Sequence, residues 1–92
     1  MTEEEISAAQ QTLTDWEVVS SGEVSKLKKA YRFKNFLEAL AFTNQVGALA
    51  EDHDHHPDIL TEWGRVTITW WTHSANGLTQ NDFAMASRVD EL

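Results

Sequence analysis

Cysteine is absent from the 92 residues, so the chain has no disulfide framework, no zinc–thiolate site and no thiol nucleophile. Positive charge is scarce as well: seven Lys and Arg stand against 15 Asp and Glu, for a formal net charge of −8. Binding a polyanion relies on basic side chains that displace condensed counterions. The one basic cluster is Lys26, Lys28, Lys29, Arg32 and Lys34, so direct nucleic-acid binding is not expected. The same deficit disfavours an anionic membrane surface, where each basic residue contributes about 1 kcal/mol. No apolar run approaches the ~20 residues a membrane span requires. Met1-Thr2-Glu3-Glu4-Glu5 has the wrong charge for a signal peptide, and no apolar stretch follows it. The expectation is a cytoplasmic protein without membrane attachment.

The chain is 41% hydrophobic and 24% charged, an ordinary globular composition, and its length suits one domain over residues 1–92. So short a chain buries only about 60–65% of its unfolded surface, and self-association would cover more.

Proline occurs once and glycine four times, so each one present punctuates the chain. Thr2 and Glu5 have capping-box spacing, and Ile6, Ala9 and Leu13 follow at helical intervals, predicting a helix near residues 3–12. Trp16 to Val19 reads as a strand and Ser20-Ser21-Gly22-Glu23 as a turn. Leu27, Lys29, Tyr31 and Phe33 then alternate with Lys28, Ala30 and Arg32, completing a hairpin. Asn35 with Glu38 opens a long helix from Phe36 to about Asp52, whose apolar coverage exceeds one stripe and therefore suits more than one neighbour. Pro57 disfavours helix at His56. Ile59-Leu60 is a short strand candidate, and Val66, Ile68 and Trp70 alternate with Thr67, Thr69 and Trp71 in a clear strand. Ser74–Gly77 reads as a loop, and Thr79 with Asp82 caps a last helix. The order α-β-β-α-β-β-α predicts an α+β domain, an antiparallel sheet with helices on one face.

All four histidines, His53, His55, His56 and His73, fall within 21 positions, three of them in Glu51-Asp52-His53-Asp54-His55-His56-Pro57. A single surface histidine usually does nothing. Three with three acids, between a helix end and a proline, form a candidate site of the kind that loops on rigid elements carry. His53 and His55 share a face in extended chain and could chelate a metal, although no recognised zinc pattern is present. The same residues also suit proton transfer, because histidine titrates near neutrality. Glu51 or Asp82 could orient a ring, and His55 and His73, from different elements, could serve one small substrate as acid and base. Nucleophilic catalysis is poorly supported, since Ser74 merely follows His73 and no Gly-x-Ser-x-Gly elbow exists. Trp16, Trp63, Trp70 and Trp71 are read mainly as core or interface. Trp70 is expected beneath the helices, and Trp71 is the better candidate for a pocket or a subunit contact.

Glu51, three residues, His55-His56-Pro57, five residues, Trp63, nine residues, His73, eight residues and Asp82 resembles the signature of the pterin-4a-carbinolamine dehydratases. Trp16, Tyr31-Arg32-Phe33-Lys34-Asn35-Phe36 and Gly77-Leu78-Thr79 also look like family positions. The resemblance implies a four-stranded antiparallel sheet with three helices on one face. It implies a lyase, a hydro-lyase that dehydrates 4a-hydroxytetrahydropterin to quinonoid dihydropterin in pterin recycling, with no cofactor and no metal. His55 and His73 would be the proton-transfer pair, His56 would place the substrate, and Asp82 would support the histidine geometry. Glu51, Pro57, Thr72, Ser74 and Ala75 would join the histidines around the pterin. Family members are homodimers or homotetramers. Two other readings stay open: a non-catalytic pterin-binding or dimerisation module, and a paralogue acting on a molybdopterin-related pterin. His53 is not required by the signature, and Trp70-Trp71 is bulkier than usual there, which bears on the pterin side chain accepted.

Overall fold

The structure, a computed structural model, describes residues 1–92 apart from the side chain of Ser21. Its elements are α1 (Glu3–Gln10), β1 (Glu17–Ser21), β2 (Val24–Arg32), α2 (Phe36–Asp52), β3 (Asp58–Glu62), β4 (Arg65–Trp70), a single 3-10 turn (His73–Ala75) and α3 (Gln80–Asp90). The strands form one antiparallel sheet in the order β1-β2-β4-β3. This is the α+β order and four-stranded sheet expected. α2 and α3 lie against the sheet, and α1 packs on α3.

Strand alternation decides which face the helices cover. Leu27, Val66, Ile68 and Trp70 point to the helices and are fully buried, whereas Lys28, Ala30 and Arg32 face away. From α2, Ala39, Phe42, Val46 and Ala50 enter the core, joined from α3 by Phe83, Met85, Ala86 and Val89. The spacing of these residues at three and four is the apolar stripe of a helix lying on a sheet. Phe36, Leu37 and Leu40, on the rest of α2, stay exposed.

Several boundaries differ from the sequence reading. α1 ends at Gln10 rather than near 12, because Thr12 and Leu13 turn back with their N–H groups on Ala9 and Gln10 carbonyls. β1 extends to Ser21, which narrows the predicted Ser20–Glu23 turn to Gly22-Glu23. Gly22 takes the left-handed φ of 66° that glycine adopts without steric cost. Of the tryptophans read as core or interface, Trp63 is not in the core: it sits in the β3–β4 turn and is 70% exposed.

That same turn is clamped by Gly64. The Phe33 N–H donates to the Gly64 carbonyl at 2.9 Å, and a Cβ at Gly64 would meet the Phe33 carbonyl oxygen at 2.9 Å. That oxygen is backbone, so relief requires moving the main chain just past β2. Gly64→Ala is expected to cost about 1–3 kcal/mol, read as a lower midpoint in urea unfolding.

The C-terminus of α3 is tied to β2 and to Trp16, just before β1, by Asp90. Its carboxylate accepts from Trp16 Nε1 at 3.0 Å, from Lys29 Nζ at 2.8 Å and from the Tyr31 hydroxyl. Burial works against the charged form, but the hydrogen bonds from Lys29, Tyr31 and Trp16 outweigh it and hold the carboxyl below its usual range. A depressed carboxylate contributes stability above its unfolded pKa of ~3.9 and loses it as pH falls through the folded value. The stability gap between wild type and Asp90→Asn is therefore expected to narrow as pH drops from about 5 to 3, measured by urea unfolding across that range.

Candidate functional site

The last turn of α2 creates the site's first wall. Asp54 adopts φ 49°; its N–H bonds the Glu51 carbonyl at 3.2 Å, and the His55 N–H bonds the Ala50 carbonyl at 3.1 Å. These two bonds are a Schellman ending, usually built on glycine and here on aspartate, one of the residue types that tolerates the left-handed region. The helix thereby delivers His55 at a fixed point, and Pro57 two residues later prevents helix from resuming.

The second wall comes from the end of β4. Thr72 pairs with Gly77 across the 3-10 turn, its N–H donating to Gly77 O at 2.8 Å, and Asn76 closes the turn at φ 52°. Trp71, Thr72, His73 and Ser74 face Asp54, His55 and His56 across a cleft of ≈ 360 Å³. Small-ligand pockets run from about 300 to 1,000 Å³, so this one suits a compact ring system.

Asp82, wholly buried in the first turn of α3, binds the two walls together. His55 Nε2 lies 2.6 Å from Asp82 Oδ1. Oδ2 accepts from the Thr72 hydroxyl at 2.8 Å and from the Thr79 N–H at 2.9 Å. Because the Thr72 hydrogen is given to Asp82, the Thr79 hydroxyl, 2.9 Å away, must donate to Thr72. The His55 side chain is only 17% exposed, and its ring lies parallel to Trp70 with centroids 5.5 Å apart. A carboxylate accepts, so the His55 proton facing Asp82 is on Nε2, and Nδ1 is the nitrogen left for exchange.

The other histidines are held more loosely. His56 Nε2 is 3.3 Å from Glu51 Oε2, and both side chains are more than half exposed. His73 is exposed, and its ring sits 4.0 Å from that of Trp71. Lys26 Nζ stands 4.5 Å over the Trp71 ring.

Of the sequence candidates, His55, His56, Thr72, His73 and Ser74 meet in the cleft, with Asp82 behind His55 and Glu51 beside His56. Two candidates fall outside it. Ala75 lines the adjoining hollow with Gly77 and Leu78, because the 3-10 turn swings it past the rim. Pro57 is not among the residues lining the cleft; it lies between the Schellman ending and β3. His53 also lies outside, in a smaller hollow with Asn81 and Arg88 that shares only Asp54 and His55 with the cleft. Among the described residues, no group of three or more His, Asp and Glu side chains could hold a metal ion. Sequence reasoning passed over Asp54 and Lys26. The signal for Asp54 was an αL-tolerant residue just past a helix, whereas Lys26 becomes visible only once β2 is known to pair with β4.

Fold and site together define a small α+β domain presenting histidines in a compact cleft. The family model described as pterin 4 alpha carbinolamine dehydratase matches residues 1–92, and the chain belongs to that family. A Microcystis aeruginosa protein named "Putative pterin-4-alpha-carbinolamine dehydratase" is 51% identical over 92 residues, covering 100% of this chain and 79% of that one. A Chlorobium limicola protein of the same name is 54% identical over 89 residues, covering 97% and 79%. Among solved structures, a transcriptional coactivator/pterin dehydratase from Brucella melitensis superposes with a TM-score of 0.89 at 35% identity, covering 99% of this chain and 95% of that one. A pterin dehydratase-like protein identified as a RuBisCO assembly factor in the alpha-carboxysome gives a TM-score of 0.71 at 25% identity, covering 85% and 88%.

Proposed function

We propose that the cleft dehydrates a 4a-hydroxytetrahydropterin to the quinonoid dihydropterin. The C4a–O bond breaks, the oxygen takes a proton and leaves as water, and N5 gives up its proton as the C4a–N5 double bond forms. Two proton transfers, one to oxygen and one from nitrogen, need an acid and a base on one small substrate. His55 and His73 are that pair, with His56 and Glu51 placing the ring system and Asp82 orienting His55. Thr72 and Ser74 complete the pocket. No redox partner is needed, because the atoms and electrons balance within substrate and water.

The observation that carries this reading is the part-buried His55–Asp82 bond at 2.6 Å beside a cleft that also holds His73. A structural histidine needs no second imidazole lining the same cleft. Family membership supports the same chemistry.

The carboxysomal assembly factor of similar fold favours a second reading, a binding module without turnover. Calorimetric titration with a stable dihydropterin, paired with stopped-flow dehydration in the presence of EDTA, separates the two. The dehydratase reading expects both binding and EDTA-insensitive turnover. Binding without acceleration over the spontaneous reaction supports the module instead, and turnover lost to EDTA contradicts a metal-free site. Exposed Phe36, Leu37 and Leu40 on α2 further support association of the chain as a homodimer or homotetramer, which light scattering would measure.

A further inference from the structure

The three cleft histidines are restrained in different ways. His55 is bonded to Asp82 and His56 to Glu51. Among the described residues, the His73 side chain has neither a hydrogen bond nor an ion pair. It is also exposed and begins a 3-10 turn of only three residues. An imidazole in that setting would sample several rotamers, and ordering it during each reaction cycle would cost entropy. One contact opposes this: the Trp71 ring, 4.0 Å away between centroids and tilted by 39°.

Trp71, one residue past β4, is itself held by more than its backbone. The β2–β4 register that sets Leu27 opposite Trp70 carries Lys26 alongside Trp71, and the ammonium stands 4.5 Å over the indole, within cation–π range. The indole N–H is buried without a hydrogen-bond partner among the described residues. The contacts the structure gives the indole are ring contacts, with Lys26 and with His73. We infer that Trp71, braced by Lys26, is a positioning residue for His73, doing by ring contact what Asp82 does for His55 by hydrogen bond. The arrangement leaves both His73 ring nitrogens free for substrate while the plane of the ring is held. The inference rests on the proposed dehydration.

The test uses protein labelled with ¹³C at histidine Cε1, in three variants: Trp71→Ala, Trp71→Phe and Lys26→Met. The His73 resonance should lose its ring-current shift in Trp71→Ala and keep much of it in Trp71→Phe, while the His55 resonance stays in place as a report of intact fold. A misplaced reacting group costs up to about 10²-fold. Trp71→Ala should therefore lower kcat by about 10–100-fold with KM within about 3-fold, and Trp71→Phe should recover most of the loss. Lys26→Met should show a partial loss in both readouts. An unchanged His73 resonance in Trp71→Ala would overturn the inference, as would a raised KM at constant kcat, which would make Trp71 a wall for substrate instead. Should the wild-type protein not dehydrate the pterin, the proposed function fails, while ¹³C relaxation of His73 Cε1 still decides whether Trp71 positions the ring: faster motion in Trp71→Ala supports the inference and unchanged motion overturns it.

Discussion

Replacing His73 with alanine should lower kcat for 4a-hydroxytetrahydropterin dehydration by about 10²–10⁴-fold, the usual contribution of a general acid or base. Stability should barely change. His73 is exposed, lies beyond the end of β4 and hydrogen-bonds no side chain among the described residues, and such surface substitutions fall within about 0.5 kcal/mol. His55→Ala should reduce turnover comparably but also destabilise the fold, because it removes one of the groups hydrogen-bonded to a wholly buried carboxylate. The pair thus differs in a way that separates chemistry from folding: equal losses in stopped-flow rates, unequal losses in urea unfolding. A His73→Ala enzyme within a few-fold of wild type would remove His73 from the reaction.

Asp82→Ala should produce the largest loss of stability of any single change at the site. The side chain is fully buried and serves three donors, His55, Thr72 and the Thr79 N–H that begins α3. Deleting it strands those donors and uncaps the helix. Leaving a buried donor without its partner costs about 1–3 kcal/mol, and loss of an N-terminal capping interaction adds about 1 kcal/mol. A domain of this kind has only about 5–15 kcal/mol in total, so the variant should be partly unfolded at physiological temperature. Asp82→Asn keeps the shape and one acceptor oxygen and should lose less. If Asp82→Ala unfolds within about 1 kcal/mol of wild type, the carboxylate is not the link between helix and cleft that its bonds indicate.

How much of this was legible in the sequence depends on the range of the interaction. α2 begins at Phe36 and ends at Asp52 as read, because its signals are local: the Asn35 side chain accepts from the Glu38 N–H at 2.8 Å, and Pro57 lies just beyond. The alternation of β2 and β4 likewise declared which residues would be buried, Trp70 among them. The order β1-β2-β4-β3 was not legible from periodicity, which says nothing about which strands pair across α2. For that reason Lys26 could not be placed beside Trp71. The resemblance implied only that Asp82 supports the histidine geometry; its contact with His55, 27 residues away, was not legible from spacing. Trp63 shows the reverse limit. It belongs to the signature, yet it occupies the β3–β4 turn, and β4, at about 3.3 Å per residue, separates that turn from the cleft.

The most direct test of the account compares the dehydration rate of wild-type protein with that of the double variant His55→Ala/His73→Ala, both measured over the spontaneous rate by stopped-flow absorbance. The account predicts strong acceleration by the wild type and a rate for the double variant close to background. Equal rates for the two proteins, whether both fast or both at background, would contradict it.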